Sequence, residues 1–168
     1  PIRSRSSVSA LNPSSRNSPV EIVPARTAHV GFLARNMRAI DREECEAMGR
    51  TPKGSLRRGV MTSDVAWSAM IDGRCHAMFG VVTASALTGE AVPWFLGTDE
   101  VYRRGRELLS WGPRFIDRMG DSSMVLRNLV SARNHRAIRL LRRWGFDVGQ
   151  DEVMVRGMAF LQFEKAMG

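Results

Sequence analysis

A mixed α/β domain, a central sheet flanked by helices with an extended N-terminal arm, is the fold class these 168 residues predict. Three observations predict it. From Val20 onward, short apolar runs of strand length alternate with longer stretches of helical spacing. An Asp72-Gly73 pair separates two strand-like runs, the pattern of a tight hairpin. Positions 1–19 hold seven Ser, three Pro, three Arg and no acid, a composition unable to bury a core of its own. The chain therefore divides into an arm, 1–19, and a compact domain, 20–168. No internal repeat is present.

The elements follow in order. EIVPA (21–25) reads as a first strand. Thr27 to about Met48 has helical spacing, with Val30, Leu33, Met37 and Ile40 on one side. Gly49 and Pro52 punctuate it, and a short helix follows over Ser55–Met61. VAWSAMI (65–71) and CHAMFGVVT (75–83) form the hairpin around Asp72-Gly73, and AVPWFLG (91–97) is the next strand. Thr98 caps a helix whose first acids, Asp99 and Glu100, suit a positive helix start. That helix carries Val101, Leu108, Phe115 and Met119 on one stripe, and Gly112-Pro113 should kink or divide it. SSMVLRNLV (122–130) is a strand and 134–144 a helix. FDVGQDEVMV (146–155) and GMAFLQFEK (157–165) are a final strand pair.

Composition narrows the function. The apolar fraction is 43%, and no apolar run approaches the ~20 residues that span a bilayer, so no membrane partner is expected. Cys45 and Cys75 stand far apart outside any CxxC pair, which fits two free thiols better than a disulfide or zinc site. His29, His76 and His135 lie in unrelated contexts, so no metal is expected. The net charge is +8, and of 25 basic residues only Lys53 and Lys165 are not Arg. Arg suits bidentate pairing with carboxylates or phosphates, which leaves an acidic protein partner or nucleic acid open. No helix-turn-helix, zinc finger or aromatic stacking array supports the nucleic-acid reading.

The order strand, two helices, hairpin, strand, helix, strand, helix, strand pair over 20–168 resembles the GNAT acetyltransferase fold. Two blocks, WFLGTDEVYRR (94–104) and SARNHRAIRLLRRWGF (131–146), together with the terminal hairpin resemble the internal virion protein A family of short-tailed coliphages and their relatives. That resemblance implies a virion-associated protein on a GNAT-like scaffold. Its location would be the virion, with the host cytoplasm during assembly. Its partners would be other virion proteins, including further copies of itself in the particle.

The resemblance also sets a chemical test. A working GNAT enzyme cradles the acetyl-CoA pyrophosphate in a Gln/Arg-x-x-Gly-x-Gly/Ala turn at a helix start, where small residues let backbone N–H groups approach. The best alignment here centres on Gly105 in YRRGRE, which places Tyr102 first and Glu107 last. A carboxylate facing a pyrophosphate is repulsive. Arg103 and Arg104, with Arg106, either compensate as vestigial phosphate ligands or form a solvated basic face.

The catalytic groups are missing in the same way. The Tyr that protonates the thiolate in such enzymes commonly sits four residues before the Gly of a Gly-Phe pair, and Leu141 stands there. The strand AVPWFLG has no acid. Glu90 and His76 are single bases without a recognisable partner. No catalytic residue, cofactor or metal is expected, acetyl-CoA entering only if the chain is an active N-acetyltransferase with a divergent loop.

The segment NHRAIRLLRRWGF (134–146) has another reading. Asn134 is a helix cap, and Ala137, Ile138, Leu141 and Trp144 form a buried stripe. Trp67, Trp94, Trp111 and Trp144 read as core or interface anchors. Arg136, Arg139 and Arg143 line another face, either solvated or a docking ridge for an acidic neighbour. In the arm, Arg3, Arg5 and Arg16 are the expected partner contacts. The sequence thus predicts a non-catalytic GNAT-like virion component that docks through its arm and this basic face.

Overall fold

The structure, a computed structural model, describes residues 18–168. Seven strands, β1 (Glu21–Pro24), β2 (Val65–Ile71), β3 (Arg74–Ser85), β4 (Glu90–Gly97), β5 (Val125–Ser131), β6 (Asp147–Val155) and β7 (Met158–Ala166), make one sheet in the order β1-β2-β3-β4-β5-β7-β6. All neighbours are antiparallel except β4 and β5. Six helices cover it: α1 (Val30–Asn36), α2 (Ala39–Ala47), α3 (Pro52–Thr62), α4 (Asp99–Arg103), α5 (Gly105–Met119) and α6 (His135–Arg143). This is the mixed sheet the sequence predicts.

Alternation along β3 separates the two sides of the core. Ala77, Phe79 and Val81 face α5 and α6, in a cluster with Trp67, Phe115 and Ile138. Met78 faces the other way, against Val30, Leu33 and Leu56 of α1 and α3. Phe79 is an aromatic hub, stacked on Trp111 at 5.1 Å and edge-on to Phe115 at 5.3 Å.

Two helix expectations need correction. Residues 27–48 are not one helix: a 3-10 turn at Thr27–His29 and α1 precede a break at Met37 and Arg38, both extended with ψ near 143° and 144°. The break lets Met37 bridge Thr98 and lets the Arg38 N–H reach the Gly97 carbonyl, 2.9 Å away. The long helix after Thr98 divides at Arg104 (φ −89°, ψ 38°), not at Gly112-Pro113. Proline forfeits one helical hydrogen bond, yet α5 runs through Pro113 because Leu108, Gly112, Phe115, Ile116 and Met119 are all buried on one side.

Two hairpin turns put a non-glycine residue at positive φ before a glycine: Asp72 (51°) before Gly73 (74°), and Arg156 (48°) before Gly157 (81°). This is the two-residue turn that matches strand twist. The first is legible as Asp-Gly. The second is not, because arginine is an unusual first residue there.

Candidate functional site in the gap between two parallel strands

β4 and β5 pair only through Glu90↔Val125 and Ala91↔Leu126, although both strands continue well beyond. Past that point they part. A cavity of about 430 Å³ opens at the gap, lined by Pro93, Trp94, Asn128 and Val130 of the strands, Leu141 of α6 and Trp144 at its end, and Asp41 and Glu44 of α2. Strands that separate leave backbone groups without ladder partners, and buried ones must be satisfied elsewhere.

Side chains satisfy them. The Asn128 amide donates to the Pro93 carbonyl across the gap at 2.8 Å. Further along, the Gly97 N–H donates to Asp41 Oδ2 at 2.9 Å and the Ser131 N–H to Glu44 Oε1 at 3.0 Å. One turn of α2 therefore holds the ends of both strands. Asn134 links them: its Nδ2 donates to Glu44 Oε1 at 3.0 Å, and its Oδ1 accepts from Arg38 Nη2 at 3.0 Å. The same Oδ1 accepts from the Ala137 N–H at 3.4 Å, so Asn134 is the expected cap and also a buried hub.

Arg38 supplies the positive charge. Its Nη1 stands 3.5 Å from Asp41 Oδ1, close enough for ion pairing but without a hydrogen bond. Burial, opposed by Arg38, raises the Asp41 carboxyl from 3.8 to about 7. Burial also raises Glu44 and Tyr102. Sequence reading missed Arg38, Asp41 and Glu44. A polar stripe beside an apolar one is the ordinary sign of a solvated helix face, so their burial leaves no local mark.

The loop expected to cradle a phosphate is differently built. The Thr98 hydroxyl caps α4 by accepting from the Val101 N–H, and the chain runs from α4 to α5 through Arg104 alone. Arg104, an expected phosphate ligand, is turned inward: Nη1 donates to Glu107 Oε1 at 3.0 Å and to the Ser18 carbonyl at 2.6 Å. Arg103 is exposed and pairs with Glu100 at 2.9 Å. Gly105 has open space where a Cβ would stand, so nothing in the fold demands glycine there. Glu107 occupies the first turn of α5.

The remaining candidates lie apart. Glu90 pairs with Arg127 at 3.1 Å, and Arg127 also holds Glu164. His76 bonds the Thr98 hydroxyl at 2.9 Å and tilts against Phe32. Burial lowers the His76 pKa. Neither His76 nor Glu90 lines the cavity. Tyr102 does line it, but on α4 and beneath Arg38, while Leu141 is where the resemblance expects a tyrosine. Both cysteines are buried and free, and no cluster of metal-ligating residues exists among the described residues.

On the basic face, Arg139 and Arg143 are exposed with no partner among the described residues. Arg136 differs: its Nη2 donates to the Tyr102 carbonyl at 2.8 Å, which ties α6 to α4. Arg3, Arg5 and Arg16 lie outside the described residues. Of the tryptophans, Trp67 is core and Trp94 donates to Ser63 at 2.8 Å. The indole N–H groups of Trp111 and Trp144 are buried without an acceptor.

Comparison with known proteins gives the fold. No family model and no curated protein sequence matches the chain. Among solved structures, an Ard1 protein from Thermoplasma volcanium is similar with a TM-score of 0.66 at 14% identity, over 88% of this chain and 97% of that one. A ribosomal-protein-alanine N-acetyltransferase from Brucella melitensis aligns with a TM-score of 0.61 at 17% identity, covering 88% and 99%. A GNAT-family acetyltransferase from Streptococcus pneumoniae aligns at 0.61 and 13% identity, covering 89% and 100%. The fold is that of the GNAT acetyltransferases.

Proposed function

We propose that this chain keeps the GNAT scaffold as a docking module and does not transfer acetyl groups. The observation that carries the proposal is the start of α5, where Glu107 stands with its carboxylate held by Arg104. A helix start attracts anions through its free N–H groups and dipole. Here the first turn already carries a carboxylate, Glu107, and the arginine beside it is paired with Glu107, Glu100 and the Ser18 carbonyl. These residues do not fit a diphosphate. Leu141 and the inward-facing Tyr102 support the same reading.

A place in a phage virion, with other virion proteins as partners and the host cytoplasm as the site of assembly, is proposed on the sequence resemblance described above. The Arg139 and Arg143 face of α6 is the described surface suited to an acidic neighbour. Two measurements test the proposal. Calorimetric titration of the full chain with acetyl-CoA should show no saturable heat, and micromolar binding would sink the non-catalytic reading. Mass spectrometry of purified particles should contain the chain, and its absence from them would sink the virion role.

A second reading, an active N-acetyltransferase with a divergent loop, has one observation in its favour. The strand gap is open on a cavity lined by Asp41, a carboxyl that burial pushes up to about 7. Acetyl transfer to an amine by the purified chain, lost on Asp41→Asn, would establish it.

A further inference from the structure

The cavity in the strand gap is lined from both faces of the sheet. Trp94 and Leu96 line it on the side of α1 and α3, and Leu141 and Phe163 on the side of α5 and α6. Its volume of about 430 Å³ lies within the ~300–1,000 Å³ of ordinary small-molecule sites. A space that passes between two strands, with apolar walls at either face, suits a linear apolar chain better than a broad ring system.

Two cations stand at its outer end. Arg50 and Arg58 line the cavity, and no other basic side chain among the described residues does. The fold fixes both positions. Gly49, at φ 79°, reverses the chain after α2, and the Arg50 N–H closes the turn on the Cys45 carbonyl at 3.0 Å. Arg58 sits on α3 beside Gly59, where a Cβ would collide with the Trp94 indole, so the helix lies directly on that wall. Both arginines are exposed, and neither has an ion-pair partner among the described residues. Deeper in, Asp41 holds the Gly97 N–H and Glu44 the Ser131 N–H, and these carboxyls oppose an anion there.

We propose that this cavity binds a free linear carboxylate, its chain in the strand gap and its head paired with Arg50 and Arg58. Arginine meets a carboxylate with two parallel N–H donors, and an open mouth lets the head keep part of its water. Burial of the chain supplies the affinity, and the two arginines choose the sign of the head group. A cationic head meets repulsion at the mouth, and a neutral one forgoes both pairs. The inference is independent of whether the domain docks in a particle or transfers acetyl groups, since neither reading uses Arg50 or Arg58.

Calorimetric titration of the full chain with decanoate, decanol and decylammonium tests it, at about 0.15 M salt to screen attraction from beyond ~8 Å. Decanoate should bind saturably, about tenfold or more tighter than the other two. Arg50→Gln with Arg58→Gln should bring decanoate down to the affinity of decanol, with decanol binding and the unfolding temperature unchanged. Lys53→Gln with Arg57→Gln removes the same charge from exposed positions of α3 that do not line the cavity, and should leave the preference intact. Val82→Phe and Val92→Phe each put bulk into the cavity. They should weaken decanoate and decanol alike in chains that still unfold at the parent's temperature. No saturable binding of decanoate, a neutral or cationic ligand bound as tightly, equal losses from the two charge pairs, or binding indifferent to both phenylalanines would each overturn the proposal.

Discussion

Arg38 sits over the ring of Tyr102, its guanidinium carbon 3.7 Å from the centroid. The same guanidinium is charge partner to Asp41 and donor to Asn134, so one side chain holds the ends of β4 and β5 and the start of α6 in place. Breaking a buried pair by removing one partner costs about 3–5 kcal/mol, because it leaves the other charge uncompensated. Arg38→Met should lower the unfolding free energy by up to that amount in urea titrations at pH 8, above the value of about 7 to which burial raises the Asp41 carboxyl. A loss below about 1 kcal/mol would mean that the network is not ionised in the folded chain.

Asp41 gives this network a pH dependence of definite sign. Burial raises its carboxyl from 3.8 to about 7. The folded chain thus binds this proton more tightly than the unfolded chain does, and the contribution of Asp41 is most favourable below about pH 4. It declines as pH rises through the window from 3.8 to about 7. Asp41→Asn removes that decline while keeping an acceptor for the Gly97 N–H. Between pH 4 and pH 8 the stability of the variant relative to the parent should rise by up to about 4 kcal/mol. A relative stability that does not change with pH would refute the assignment.

The same network marks where sequence reading reached its limit. Strand alternation and the Asp72-Gly73 turn were legible because each depends on neighbours two to four residues apart. Asn134 was legible as a cap for the same reason. Its bonds to Glu44 and Arg38 span 90 and 96 residues, and no local pattern reports contacts of that range. The break at Met37 and Arg38 was hidden likewise, since its cause is Gly97 at the end of a distant strand and Thr98 just beyond it.

Glu107 is the residue that sets the start of α5 against an anion. Glu107→Gly would remove the carboxylate and free Arg104 of one partner, at about 1 kcal/mol of helix stability. If the carboxylate is the obstacle, this variant should bind coenzyme A measurably tighter than the parent, read by calorimetry at low salt. Equal heats for the two proteins would place the obstacle elsewhere.

The basic face of α6 divides by partner. Arg139→Glu with Arg143→Glu should change stability by less than about 0.5 kcal/mol each, because both side chains are exposed and have no partner among the described residues. Arg136→Glu loses its bond to the Tyr102 carbonyl and should cost about 1 kcal/mol more. Thermal unfolding separates the two. The double variant is then the clean probe of docking, since it alters charge without loosening α4 from α6.

Gly112 explains why Gly112-Pro113 sits in the middle of a continuous helix. A Cβ there would collide with Cε2 and Nε1 of the Trp144 indole, closer than any real side chain tolerates. The glycine is therefore the floor on which the Trp144 indole rests, and the pair locks α6 onto α5. Gly112→Ala gains about 1 kcal/mol of helix propensity but forces the indole to move. Overpacking of this kind typically costs about 1–3 kcal/mol, so the single variant should be destabilised. Trp144→Leu alone should also be destabilised, by opening a cavity at the same place. The two changes together should lose less than the sum of their separate losses, because leucine vacates the space the new methyl needs. Urea unfolding of the four proteins in this cycle gives the coupling. Strict additivity would show that Gly112 and Trp144 do not share that space.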